Sequence, residues 1–276
     1  MQQTNNAMRA LRTDDLIVPA WAAPSNVHAL MTTRRGGISA GPYGAASGSG
    51  LNLGMGSGDA REMVLANRAR LRAHLPCEPT WLKQVHGAGV VDAAVVDATQ
   101  VRDAPVEADA SFTSARGVVC AILVADCMPV LFCNRQGTRV AAAHAGWRGL
   151  AAGVLEATID ASGLAPGDIM AWIGPAIGPT RFEVGEDVRD AFIANDAACG
   201  TAFEPRDEGK WLADLPALAR MRMKACGVAD VFESGLCTAS DSASFYSYRR
   251  DGTTGRMAAL IWIDQGPSRG SISVSG

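Results

Sequence analysis

No apolar run in this sequence approaches the ~18 residues needed to cross a bilayer, so a membrane span is not expected. The first residues, MQQTNNAMRALRTDD, lack the apolar core of an export signal. Positive charge is not in excess either: the formal net charge is −3, which gives no reason to expect nucleic acid as a partner. There is no fixed-period repeat, no heptad pattern and no Pro/Ser-rich linker. G-x-G-x-x-G and P-loop signatures are both missing, which argues against a dinucleotide fold. The seven cysteines form no C-x-x-C pair; their odd number, scattered without an export signal, fits reduced thiols in the cytoplasm. Only four histidines are present.

What is present is an ordinary globular composition, 48% hydrophobic and 19% charged over 276 residues. Strand-like and helix-like segments mix without regular βαβ alternation, so the expected fold class is α+β: one layered α/β sandwich with mixed sheets. Residues 1–14 are polar and expected to fray, leaving 15–276 as a single catalytic domain. Val27–Thr33, Thr80–Val85, Val90–Val96, Val118–Val124, Val140–Ala143, Ile169–Ile173, Val228–Phe232 and Met257–Ile263 read as strands. A Gly/Ser/Ala-rich loop follows Gly37, and 101–108 reads as another loop. Asp59 is expected to cap a helix that Pro76 stops, with His74 in its last turn as a surface cation. Further helices are expected over 150–162, over a segment marked by Val184, Val188 and Phe192, and from Asp214 to Gly227.

Three of the apolar runs stop at a reactive side chain followed closely by Gly or Pro. The first stops at His86-Gly87, the second at Asp126-Cys127-Met128-Pro129, the third at His144-Ala145-Gly146. The runs flanking 127 and 144 are close enough in sequence to pair. Two imidazoles and a thiolate suit zinc, and three protein ligands leave a fourth position open. The same residues without metal would make a Cys127 nucleophile activated by His86 or His144. Asp126 is a candidate to orient a histidine. Arg34, Arg148, Arg249 and Arg250 lie in loops beside glycines or aromatics, where arginine fixes phosphate or carboxylate in a fork. Trp147, Phe245 and Tyr246 are candidates to stack on a planar base.

An ordered set of motifs runs through the chain: Thr33-Arg34-x-Gly-Gly37, Leu51-Asn-Leu-Gly54, Gln84-Val-His86-Gly87, Ala108-Asp-Ala110, Ala125-Asp-Cys-x-Pro129, His144-Ala-Gly-Trp-Arg-Gly149, Ile173-Gly-Pro-x-Ile-Gly178, Tyr248-Arg-Arg250 and Thr254-Gly-Arg256. This pattern resembles the laccase-domain family, also called the multicopper polyphenol oxidase or YfiH/FAMIN family, from about Val27 to Ile263. The resemblance implies a zinc site at His86, Cys127 and His144, with copper as the alternative metal, and a fold similar to a toxin deamidase domain. It implies phosphorolysis of adenosine, inosine, guanosine and methylthioadenosine, with purine nucleosides and phosphate as the partners. It also implies deamination of adenosine by water activated on the metal, with Asp109 and Asp126 as candidate proton shuttles. Arg34, Asn52, Asp126 and Arg148 are the expected substrate contacts. Editing of UDP-linked peptidoglycan precursors, and binding without turnover, are the competing readings.

Overall fold

The computed structural model describes residues 11–45, 48–96 and 105–265. The first strands are β1 (Leu16–Ile17), β2 (Val27–Thr32) and β3 (Arg35–Ser39), followed by helix α1 (Arg61–Arg72). The middle of the chain supplies β4 (Val90–Asp92), β5 (Ala110–Thr113), β6 (Val119–Val124), β7 (Met128–Asn134) and β8 (Val140–Ala145). Helices α2 (Trp147–Ala151) and α3 (Val154–Ser162) lead to β9 (Ile169–Ile173), β10 (Glu183–Gly185) and α4 (Glu186–Ile193). The remainder is β11 (Phe203–Pro205), β12 (Lys210–Ala213), α5 (Leu215–Ala225), β13 (Asp230–Glu233), α6 (Tyr248–Asp251) and β14 (Met257–Ile263).

An antiparallel sheet in the order β1-β2-β14-β6 faces a six-stranded mixed sheet in the order β13-β9-β7-β8-β5-β4. Alternation along each strand divides the residues between layers. In β6, Cys120, Ile122 and Val124 point into the space between the sheets, while Val119 and Ala121 point outward under Leu71 of α1. In β7, Leu131 and Cys133 face the other sheet, while Met128, Val130 and Phe132 face the layer of α2, α3, α4 and α5. The result is a four-layer α-β-β-α sandwich, the α+β layered architecture expected from the sequence. Burying each large apolar side chain of these layers contributes about 1.5–3 kcal/mol.

Several local expectations are corrected. The runs 118–124 and 140–143 do not pair: β6 lies beside β14 in one sheet, and β8 lies between β7 and β5 in the other. Cys127 sits where the chain crosses from one sheet to the other. The segment 80–85 is extended but bridges singly, Thr80 to Cys120 and Lys83 to Glu107, because it too passes between sheets. Helix 150–162 is interrupted at Gly153, whose φ of 89° is left-handed. Val184 belongs to the small sheet β10-β12-β11, which periodicity alone did not separate from α4. Asp59 does not cap α1; its carboxylate accepts from Ser39 and Asn52, and Ala60 holds the cap position. His74 lies beyond the last turn of that helix. Residues 1–10 and 101–104 of the expected frayed terminus and loop lie outside the described residues. Leu11, within the expected frayed segment, is buried against the core and Asp15 accepts from the Arg12 N–H at 2.9 Å.

Candidate active site

The register of the six-stranded sheet builds the site. Ala110 pairs with Ala143, so Asp109 falls directly opposite His144 at the end of the antiparallel ladder. His144 shares the parity of Val140 and Ala142, which puts its ring on the inter-sheet side. It lies inside β8 and not beyond its end. Its Nδ1 is 2.8 Å from Asp109 Oδ1, and both side chains are buried. A carboxylate only accepts, so Nδ1 carries the proton and Nε2 is left with its lone pair free.

Asp109 also fixes the second imidazole. Its carboxylate accepts from the backbone N–H groups of Val85, His86 and Gly87 at 3.2, 2.9 and 2.7 Å. That cradle holds His86 at φ 60°, a left-handed conformation that costs free energy for a residue with a Cβ. Gln84 ties the same loop to β6, donating to and accepting from the Leu123 backbone at 2.8 Å each.

The thiol arrives from the crossover between β6 and β7. There Asp126 adopts φ 90° and is held by its own side chain. It accepts from Thr238 Oγ1 at 2.6 Å, Ser247 Oγ at 3.0 Å and the Arg249 N–H at 2.7 Å. Asp126 thus anchors two later loops under Cys127 and orients no histidine; that task belongs to Asp109. Gly146, across the sheet from Cys127, is required by close approach. A Cβ there would lie 2.9 Å from Cys127 Sγ and 3.1 Å from a His86 ring carbon.

His86, Cys127 and His144 therefore converge, with their donor atoms all within 4.8 Å of one another. Cys127 Sγ is 3.8 Å from His86 Nε2, and the two rings meet edge-to-face with centroids 4.8 Å apart. Burial raises the Cys127 pKa, but hydrogen bonding and charge from His144, then His86, outweigh it and bring the thiol down to about 6. Burial lowers that of His144, but Asp109 and the Cys127 thiolate outweigh it and raise the imidazole above its ordinary value. For Asp109, burial is outweighed by His144 and the loop N–H groups, which hold its carboxyl below the usual range. In the absence of metal the two shifts favour a proton on His144 Nε2 beside the Cys127 thiolate, on the lone pair that a metal would otherwise take. A thiolate, two imidazoles and a carboxylate behind one of them form a donor set that suits one zinc.

The triad opens onto a cleft of about 720 Å³. Arg61, Arg68, Lys83 and Arg256 line it together with Trp81 and Tyr248, and no Asp or Glu is among its described lining residues. Of these cations Arg256 falls in one of the ordered motifs, whereas Arg61, Arg68 and Lys83 fall in none. Arg61 and Arg68, seven residues apart on α1, share a helix face, a spacing that could have marked them. A smaller cavity of about 130 Å³ lies on the other side of Cys127, against Trp147, Phe182 and Arg249.

The four expected substrate contacts lie outside the lining of the main cleft. Arg34 is consumed within the fold: it donates to the carbonyls of Gly44 and Ser242, and its guanidinium lies 4.6 Å from the Tyr246 ring centroid. Phe245 and Tyr246 are core residues. Asn52 is fully buried and bonded to its own loop. Asp126 borders the smaller cavity. Arg148 is exposed and stacks on Trp147, 4.4 Å from its ring centroid. Arg249 and Arg250 donate to backbone carbonyls, of Glu183 and of Thr238 respectively.

Residues 28–264 match a family described as multi-copper polyphenol oxidoreductase laccase. The chain is 51% identical over 248 residues to the purine nucleoside phosphorylase PA4543 of Pseudomonas aeruginosa, covering 90% of this chain and 98% of that one. It is 50% identical over 250 residues to the purine nucleoside phosphorylase YfiH of Escherichia coli K12, with coverages of 90% and 98%. Of solved structures, a Neisseria meningitidis protein of the DUF152 family superimposes with a TM-score of 0.83 at 48% identity, covering 91% of this chain and 99% of that one. YlmD from Geobacillus stearothermophilus gives 0.78 at 34% identity, with coverages of 87% and 93%. The copper plurality in the family's description has no counterpart in the histidines: His28 stacks on Trp262 and His74 lies in the turn after α1, leaving two for the triad. By sequence and by fold, the chain belongs to this laccase-like YfiH family, of which the Pseudomonas and Escherichia relatives are named purine nucleoside phosphorylases.

Proposed function

We propose that this protein cleaves purine nucleosides by phosphorolysis at the His86–Cys127–His144 triad, with zinc as the resident metal and adenosine, inosine, guanosine and methylthioadenosine as substrates. One observation carries the reading. In a chain of net charge −3, four cations and no described carboxylate line the cleft that opens onto the triad. Such segregation favours an anionic reactant beside the reacting centre. In phosphorolysis a phosphate oxygen bonds to ribose C1′ as the bond from C1′ to the purine nitrogen breaks. The electron pair leaves with the base, which takes up a proton.

His86, Cys127 and His144 would hold the zinc, which supplies a Lewis acid and lowers the pKa of a water it holds. Asp109 keeps His144 in the tautomer that offers Nε2 and keeps the His86 loop in its strained turn. Tyr248, exposed at the cleft, offers an aromatic face for the planar base. Deamination of adenosine needs a carboxylate free to shuttle protons. Asp109 and Asp126 are both fully engaged, so the geometry favours phosphorolysis over deamination.

The test is incubation of the zinc-loaded protein with inosine, with and without phosphate, followed by chromatography. Hypoxanthine and ribose 1-phosphate should form only with phosphate. Release of base at the same rate without phosphate would make the protein a hydrolase and sink the reading.

A further inference from the structure

Two motifs remain without a role, Leu51–Gly54 and Thr254–Arg256, and the fold brings them together. Asn52 Oδ1 accepts from the Gly54 and Arg256 N–H groups at 3.0 and 2.8 Å. Its Nδ2 donates to Ser57 Oγ at 2.8 Å and to Asp59 Oδ2 at 3.0 Å. The amide is saturated and buried, so it acts as a strut and not as a ligand contact. Gly54 lies under the stem of Arg256: a Cβ there would fall 2.6 Å from Arg256 Cγ and 3.0 Å from its Cβ. At the far end, Arg256 Nη1 donates to the carbonyls of Thr254 and Gly255 at 2.9 and 3.0 Å.

The side chain is thus fixed at its backbone, its stem and one guanidinium nitrogen. Nε and Nη2 have no hydrogen-bond partner among the described residues, and the side chain lines the same cleft as Cys127 and His86. The other defined cations differ: Lys83 pairs with Glu107 at 2.7 Å, and Arg68 lies over Trp81 at 4.1 Å. A guanidinium held still with one edge unused presents two parallel donors, the geometry that grips two oxygens of one phosphate.

We propose that Arg256 is the residue that grips the reacting phosphate, with Asn52 and Gly54 as the positioning residues that aim it. The inference rests on reading the cleft as the nucleoside and phosphate site, and it assigns the phosphate end of that site. Burial lowers the Arg256 pKa while the charges of Cys127 and Asp126 act the other way, in keeping with a cation that an arriving anion would satisfy.

The experiment is calorimetric titration of zinc-loaded full-length protein with inorganic phosphate, with adenosine, and with adenosine 5′-monophosphate. Thermal unfolding and zinc content are checked for each variant. Arg256→Met should weaken inorganic phosphate ~10–100-fold, the loss expected for hydrogen bonds to a charged group, and leave adenosine unchanged. In turnover the KM for phosphate should rise while that for inosine stays put. Arg256→Lys keeps the charge without the fork and should recover only part of the affinity. Gly54→Ala leaves every charge in place and should still weaken phosphate, because its methyl displaces the Arg256 stem. Unchanged phosphate affinity in Arg256→Met, or an equal fall for adenosine, overturns the proposal. So does a loss confined to the monophosphate, which would mean that the phosphate recognised is carried by the nucleoside. If the wild type grips phosphate through Arg256 but cleaves no nucleoside, the phosphorylase reading fails and the Arg256 assignment survives.

Discussion

Asp109→Asn is the substitution that most directly tests how the site is held. The aspartate carboxylate receives four donors: His144 Nδ1 and the His86 N–H on Oδ1, and the Val85 and Gly87 N–H groups on Oδ2. Asparagine has the same shape but only one acceptor oxygen. With that oxygen in the place of Oδ1, its NH2 faces two N–H donors; reversed, it faces the proton on His144. Either way two charge-assisted bonds are lost, at ~1.5–3 kcal/mol each, so destabilisation is about 3–6 kcal/mol before relaxation. At about 2–4 °C per kcal/mol for a domain of this size, the melting temperature falls by roughly 6–24 °C. Metal affinity falls too, because the His86 turn loses its clamp and His144 its fixed tautomer; outer-shell losses of this kind run ~10–100-fold. Scanning calorimetry and competition with a chromophoric zinc chelator measure the two effects. A variant within about 2 °C of wild type, with zinc affinity within about threefold, would refute the cradle argument, since both changes lie below the cost of a single lost bond.

Cys127 should betray its lowered pKa in the metal-free protein. Its alkylation by iodoacetamide, followed by site-resolved mass spectrometry, should be nearly independent of pH above about 7 and fall off below about 6, because the thiolate persists down to that pH. An ordinary thiol would instead slow as pH drops through about 8.5. Gly146→Ala should strip zinc without unfolding the protein, since its methyl intrudes on Sγ and the His86 ring; retention of one zinc per chain after dialysis counts against the close-approach argument. Asp126→Ala removes three acceptor contacts to separate loops and should cost about 3 kcal/mol or more in urea unfolding. Arg148→Ala, which truncates an exposed side chain, should leave the phosphate KM within about twofold, the span of ordinary surface substitutions.

The triad was legible in the sequence because each of its members ends or closes an apolar run beside a glycine or proline, and strand rims collect such residues. The layered fold was legible for a similar reason: short continuous apolar runs, the mark of strands buried on both faces, give β6, β8, β9 and β14 plainly. What could not be read was anything that depends on which strand lies beside which. Asp109 becomes the partner of His144 only once Ala110 is known to pair with Ala143. Asp126, adjacent in sequence to the thiol, was the natural choice for that role, yet its left-handed φ turns its carboxylate toward Thr238 and Ser247. Arg34 looked like a phosphate ligand by residue type and proved to be mortar between backbone carbonyls. Arg256 sat in a noted motif, but its use depends on Asn52, 204 positions away.

The strand order also has a consequence for biosynthesis. β14, late in the chain, lies between β2 and β6, pairing Trp262 with His28 on one side and with Val119 on the other. Until residues 257–263 have left the ribosome, β2 has only the two-residue β1 beside it and β6 lacks its neighbouring strand, so the sheet that covers the inter-sheet face of β7 and β8 is incomplete. A nascent chain therefore carries His86, Cys127 and His144 outside the tunnel well before their frame exists. Closure must wait for a contact of very long sequence separation, the slow kind in folding and the kind during which exposed edges invite aggregation. Truncation before β14 should yield an insoluble chain, even though none of the three triad residues has been removed.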